Sequence, residues 1–319
     1  MFISSLEASV GVVLIMALGY FLSRSGMFQE RERMMMSKLV INVTLPATIL
    51  SSFQNYFSRE ELTELLPVFL VTVATMVLSF FLTWLIALII RVPNRRRGQF
   101  MQGAVTSNSS FIGFPMVESV FGAAGNPPMV LLYFGQTLFT NTVGVMLTRR
   151  DAGVINGGGE KQQIGKILKG MVTPPTITII LSVVLALLGI VLPRFLMIAV
   201  DSVGKVTSPM ALLFVGSVIY NMGFKNMKPE RGVIAAVIFR LVISVVIIVA
   251  LSLLVGMDPF YIEVMALQFG LSSAVQPVTM SKAYGADTDY STKLLLYSVV
   301  GSVVTVPLVM MAVEMIVGA

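Results

Sequence analysis

Two short polar stretches hold the residues best suited to bind a small molecule. NSSFIGFP, residues 108–115, sets Asn108, Ser109 and Ser110 ahead of Gly113 and Pro115. SSAVQP, residues 272–277, sets Ser272, Ser273 and Gln276 beside Pro277. Amides and hydroxyls exchange hydrogen bonds without a fixed charge. No acidic residue lies inside either stretch, so the expected ligand is an anion rather than a bare cation. Pro115 and Pro277 suit the first turn of a helix, where a missing N–H costs nothing. The N–H groups at such a start carry partial positive charge, which favours an anion by about 0.3–1 kcal/mol per helix end, or ~2 kcal/mol when partly buried. Asn108 is expected to cap the helix before it in a left-handed conformation.

Other chemistry is removed by what the chain lacks. It has no Cys and no His, which excludes disulfides, thiol and Ser–His catalysis, haem and most zinc sites. There is no HExxH and no paired membrane Asp, so no enzyme is expected. The 22 Met are scattered and read as packing rather than a metal path. No cofactor is expected; the only added component is a coupling ion, Na+ or H+.

The elements that must position these residues are membrane helices. The chain is 56% hydrophobic, has a mean hydropathy of +0.88, and is 12% charged, half the share of about 25% in a soluble domain. Ten apolar spans follow, at 3–22, 35–53, 65–90, 99–121, 127–148, 171–192, 205–222, 231–255, 260–284 and 289–317. No Lys or Arg precedes the first run, which reads as a span and not a removable signal. With Lys38 and Arg240 set aside as lying within spans, seventeen Lys and Arg fall toward one side, against Arg59, Arg194 and Lys205 on the other. The positive-inside rule then puts both termini outside and the 149–170 linker inside the plasma (inner) membrane. The net charge of +6 is thereby explained by topology, with lipid bilayer and not nucleic acid as the partner.

The two polar stretches belong to a repeat. Pro46 and Pro115 are 69 residues apart, and Pro209 and Pro277 are 68 apart. Each second proline is followed by an aromatic-Gly-Ala, at Phe121-Gly122-Ala123 and Tyr284-Gly285-Ala286. The halves, 1–148 and 171–319, hold five spans each. An odd number inverts the second half, a common plan of secondary transporters. About ten helical residues before Asn108 cover ~15 Å, half of the hydrocarbon thickness, so the breaks in spans 4 and 9 fall near the midplane.

SNSSFIGFPMVESVFG, SSAVQPVTMSKAYGAD and LVINVTLPATIL resemble the auxin efflux carrier family, over nearly the whole chain. The resemblance implies an all-α polytopic fold of ten transmembrane helices in a five-plus-five inverted repeat, with broken spans 4 and 9 crossing. It implies a scaffold of spans 1, 2, 6 and 7, which dimerises, and an elevator-type transport domain of spans 3–5 and 8–10. The substrate-facing crossover asparagine falls on Asn108, and the crossover prolines on Pro115 and Pro277. The mid-chain loop of about 22 residues, and Ser273 where plant members carry glutamine, point to a prokaryotic member and away from auxin and leave the anion open; the bacterial members of the family include malate and malonate permeases.

Several polar residues have two readings. Arg240, ten residues into span 8, is either a counter-charge for a substrate carboxylate or coupling group, or a structural ion pair or hydrogen-bonded helix contact. Glu118 is either a proton or cation ligand or a residue of the outer mouth. Gln136 and Asn141 of span 5 either line the cavity or join helices. Glu7, Glu263 and Glu314 are expected to be solvated at the outer surface. The leading function is a secondary carrier of organic anions. The alternatives are a sodium- or proton-coupled carrier of a neutral or cationic solute, and a non-transporting membrane sensor.

Overall fold

The computed structural model describes residues 2–56, 59–156, 172–223, 228 and 230–318. Most of the expected linker, with Lys161, Lys166 and Lys169, and also Lys225, lies outside the described residues. The described residues form helices throughout, with a single isolated antiparallel bridge between Ser107 and Ser273.

The first half comprises α1 (Phe2–Arg24), α2 (Glu30–Leu39), α3 (Leu45–Tyr56), α4 (Arg59–Ile89), α5 (Asn94–Val105), α6 (Phe114–Phe121), α7 (Asn126–Phe139) and α8 (Val145–Asn156). The second comprises α9 (Pro174–Leu187), α10 (Arg194–Gly204), α11 (Thr207–Met222), α12 (Arg231–Ile238), α13 (Ser244–Leu254), α14 (Pro259–Gly270), α15 (Gln276–Tyr284) and α16 (Thr288–Val317). Seven helical runs among the described residues are long and apolar enough to cross a membrane. By contrast, α5 and α14 have 12 residues each, or ~18 Å of helix, and do not span alone.

Wide π-turns join several of these helices. Val40–Thr44 lies just before Pro46, and Ser109–Gly113 just before Pro115. A proline cannot donate to the carbonyl four residues back and its ring crowds that carbonyl. Widening the preceding turn shifts the pairing pattern around the defect and keeps the helix continuous. Gly113 has an ordinary right-handed φ of −61°, so it serves this turn without needing glycine's freedom. The two glycines after the breaks do need it: Gly122 has φ +66° and Gly285 φ +74°.

The chain divides into two compact units. One comprises Met1–Phe69, Ser109–Phe134 and Val172–Gly223. Its spine is the packing of α1 on α11, where a Cβ on Gly19 or Gly216 would strike the carbonyls of Leu213 or Met16. Small residues are what allow two membrane helices to approach this closely. The Thr48 hydroxyl ties α3 to α11 through Thr207 Oγ1 at 2.9 Å.

The other unit comprises Leu70–Asn108, Gly135–Met171 and Phe224–Ala319. Its core gathers Phe100, Met101, Ala104, Val233, Phe239, Tyr290 and Leu294 from α5, α12, α16 and the turn after α12. In this unit the expected linker start is displaced. The helix after Gly144 runs through Asn156, and Asp151 on it is fully buried. Glu263 is also buried, at 7% exposure, not solvated as expected. It sits on α14, which α13 and α16 cover, so Glu263 and its neighbours are withdrawn from solvent.

The run expected at 205–222 reaches back to Arg194 through α10 and α11, while that expected at 171–192 contracts to α9. Large apolar side chains such as Leu14, Phe21, Phe81 and Leu254 stay exposed, which is the proper outer surface for a protein in lipid.

Candidate functional site: the helix crossing

A helix that stops inside a membrane must satisfy every main-chain group it frees. The second unit does so by pairing one break with the other. α5 ends at Val105, and Thr106 turns the chain into an extended conformation (φ −93°, ψ 129°). Leu271, after α14, is likewise extended (φ −75°, ψ 163°). The two extended segments run antiparallel. Asn108 N–H donates to Ser272 O at 2.9 Å, and Ala274 N–H donates to Thr106 O at 3.2 Å. Ser107 and Ser273 face each other between these bonds.

This geometry replaces the expected left-handed cap at Asn108. Among the described non-glycine residues only Arg91 has a positive φ. A strand-like exit supplies partners for the freed groups from the other break, so no left-handed residue is required.

Side chains complete the accounting. Ser107 N–H donates to Gln136 Oε1 at 2.8 Å. Gln136 and Gln268 both donate amide hydrogens to Ser107 Oγ, at 2.6 and 2.7 Å. Ser273 N–H donates to Ser298 Oγ at 2.9 Å. Arg240, fully buried, donates from Nη1 to Val105 O at 2.6 Å and from Nη2 to Phe269 O at 2.5 Å. Its guanidinium also lies 5.2 Å from the centre of the Phe269 ring. Of the readings open for Arg240, the hydrogen-bonded helix contact is the one this geometry contains: one residue holds the last turns of both interrupted helices. Gln136 likewise joins its helix to the crossing.

The six polar residues singled out in the sequence divide by exposure. Asn108, Ser109, Ser272 and Ser273 are at most 4% exposed, whereas Ser110 and Gln276 are half-buried. The Ser272 hydroxyl is fully buried and finds no hydrogen-bond partner among the described residues. Pro277 stands in the first turn of α15, as its type predicts. Pro115 does so for α6, but the helical course already begins at Ser109, so the start that follows Asn108 lies six residues ahead of the proline. Asn141 is buried within the π-turn Thr140–Gly144.

Glu118 belongs to the first unit. It accepts from Ser208 Oγ at 2.8 Å and lines a polar pocket of about 180 Å³ with Ser51, Asn126, Asp201 and Lys205.

Sequence reasoning missed Ser107, Gln268, Ser298 and Asp151. Ser107 lies inside the TSNSS run, and Gln268, four positions before Ser272, stands with Glu263 in a helix that is mainly apolar. That cost of insertion was a usable signal for Gln268. Ser298 carries no such signal, because a serine in a membrane helix usually satisfies itself on its own backbone.

At the end rich in Lys and Arg, Asp151 accepts from the N–H groups of Gly98 at 3.0 Å and Gln99 at 2.8 Å. Arg96 pairs with Glu230 at 2.7 Å and Asp287 at 2.6 Å, and Lys293 also pairs with Glu230, at 2.5 Å. Burial alone would lower the pKa of Arg96; the adjoining Asp287 and Glu230 outweigh it and hold the value above that of a free guanidinium.

Helical runs able to cross a bilayer, together with two interrupted helices paired at their breaks, define a polytopic membrane transporter. The sequence model described as membrane transport protein matches residues 4–310, and the chain belongs to that family, the auxin efflux carrier family its motifs resemble. It is similar to an uncharacterized transporter of Methanothermobacter thermautotrophicus, 24% identical over 311 residues, 96% of this chain and 98% of the relative. An uncharacterized transporter of Methanocaldococcus jannaschii is 24% identical over 281 residues, 86% of this chain and 88% of the relative. The uncharacterized transporter YfdV of Escherichia coli K12 is 23% identical over 306 residues, 93% and 94% of the two chains.

Proposed function

We propose that this transporter is a secondary carrier of organic anions, carboxylates such as malate or malonate, bound at the helix crossing. The observation that carries the reading is the Ser272 hydroxyl, buried at the crossing without a partner among the described residues. A buried polar group left unsatisfied costs about 1–3 kcal/mol, and a substrate oxygen arriving there removes the cost. Asn108 and Ser109 stand where one helix has just ended and the next begins, with amide and hydroxyl groups that can bond a carboxylate oxygen. Both termini outside, dimerisation through spans 1, 2, 6 and 7, and elevator-type movement of spans 3–5 and 8–10 belong to the same proposal. One compact unit does hold spans 1, 2, 6 and 7, but it also takes in Ser109–Phe134, from the second part of span 4 to the start of span 5.

The test is uptake of labelled malate and malonate into proteoliposomes under separate Na+ and H+ gradients. Saturable uptake that falls at least tenfold in Asn108→Ala and Ser272→Ala is expected. Uptake of neither acid by the parent protein, or full uptake by both variants, would sink the reading. The two gradients separate a sodium-coupled from a proton-coupled carrier.

A further inference from the structure

Two helices end at the crossing, α5 and α14, and two helical courses begin after the breaks, at Ser109 and at Gln276. A helix terminus carries the equivalent of roughly half an elementary charge, negative where the helix ends and positive where it begins. Two of each sign cancel. Helix ends alone therefore supply no net field that would favour a carboxylate over an uncharged molecule of the same shape.

Arg240 alters this balance. Its side chain reaches only the negative ends: the carbonyl of Val105, the last residue of α5, and that of Phe269, next to last in α14. Ser244 Oγ adds a second donor to Phe269 O at 3.1 Å. Arg240 forms no ion pair with any described carboxylate; among the described residues the carbonyls of Val105 and Phe269 and the face of the Phe269 ring stand against its charge. Arg240 is fully buried, and a field in such surroundings is weakly screened. Its guanidinium stays charged across the neutral range.

We propose that Arg240 sets the sign of the crossing without touching the substrate. It offsets the negative ends of both terminating helices and leaves the positive starts at Ser109 and Gln276 unopposed, a net of about one positive charge. Arg240 is thus a specificity-determining residue that acts through the backbone. The inference rests on the crossing being the substrate site. It adds that preference for anions comes from span 8 and not from the polar residues of the breaks, which would bind an amide as readily as an acid.

The experiment compares uptake of labelled malonate and of malonamide, its uncharged isostere, by the full chain in proteoliposomes. Arg240→Gln keeps a hydrogen-bond donor and removes the charge; Arg240→Lys keeps the charge and loses the two-pronged grip. The malonate-to-malonamide ratio is expected to fall about tenfold in Arg240→Gln and to stay within about threefold of the parent in Arg240→Lys. A purely structural role would lower both uptakes together and leave the ratio of Arg240→Gln unchanged, and that result overturns the proposal. Should Arg240→Gln not fold, Arg240→Lys decides: a retained ratio supports the proposal, and a collapsed one overturns it. Failure of the underlying site would look different, as full malonate uptake by Asn108→Ala and Ser272→Ala whatever Arg240 does.

Discussion

The main-chain N–H of Asn108 donates to the carbonyl of Ser272, 2.9 Å away, so each interrupted span supplies what the other lacks. Asn108 takes part in this pairing through its main chain, so its side chain can be changed without removing the bond.

That separation is testable at one position. Asn108→Ala keeps the bond to Ser272 and should melt within about 1 kcal/mol of the parent while losing uptake. Asn108→Pro removes the N–H and strands a buried carbonyl, at about 1–3 kcal/mol. Thermal unfolding in detergent, read beside uptake, distinguishes the two. Equal melting temperatures would show that the pairing of the breaks contributes nothing.

Ser107 Oγ receives two buried amides, from Gln136 and Gln268. Ser107→Ala leaves both donors without this acceptor and should destabilise by about 2–4 kcal/mol. A double-mutant cycle of Ser107→Ala with Gln136→Leu should show a coupling of roughly 0.5–3 kcal/mol. Strict additivity would mean that the network is not cooperative.

Asp151 accepts two main-chain bonds near the start of α5 and is fully buried. Asp151→Ala should cost about 1–3 kcal/mol, with Asp151→Asn recovering part of it through the remaining carbonyl oxygen. Proteolysis at the end of α8, followed over time, reports the loosening. Unchanged digestion of Asp151→Ala would show that this contact does not anchor the helix.

The ion network of Arg96, Glu230, Asp287 and Lys293 is partly solvated. Arg96→Gln should cost no more than about 1 kcal/mol, and less in high salt. The pKa of Arg96 is raised, so its contribution is fully present below the unfolded value and is lost only as pH rises through the folded one. That window lies in strong alkali, so the cost of Arg96→Gln should not vary between pH 7 and pH 9 through Arg96 itself. Melting curves at both pH values check this.

The chain contains no cysteine, which makes its orientation directly measurable. Arg95 and Lys205 are both exposed. With both termini outside, Lys205→Cys should react with a membrane-impermeant maleimide on intact cells and Arg95→Cys only after lysis. The opposite pattern would reverse the proposed topology.

The sequence by itself determined that the chain lives in a membrane, where its apolar helices run, and where two of them are interrupted. Those features depend on local composition: hydropathy over about 20 residues, proline and a cluster of small polar side chains. It also marked Gly122 and Gly285 through the repeated aromatic-Gly-Ala, and the structure gives both a positive φ, which favours glycine. Only the tertiary structure decided how the breaks are satisfied. Asn108 reads as a left-handed cap until Ser272 is brought beside it, Arg240 has two readings until Val105 and Phe269 present their carbonyls, and Glu263 looks like a surface residue until its helix is covered. A side chain's periodicity and cost of burial are written in its neighbours along the chain; the identity of its hydrogen-bond partner is not, because that partner stands on another helix.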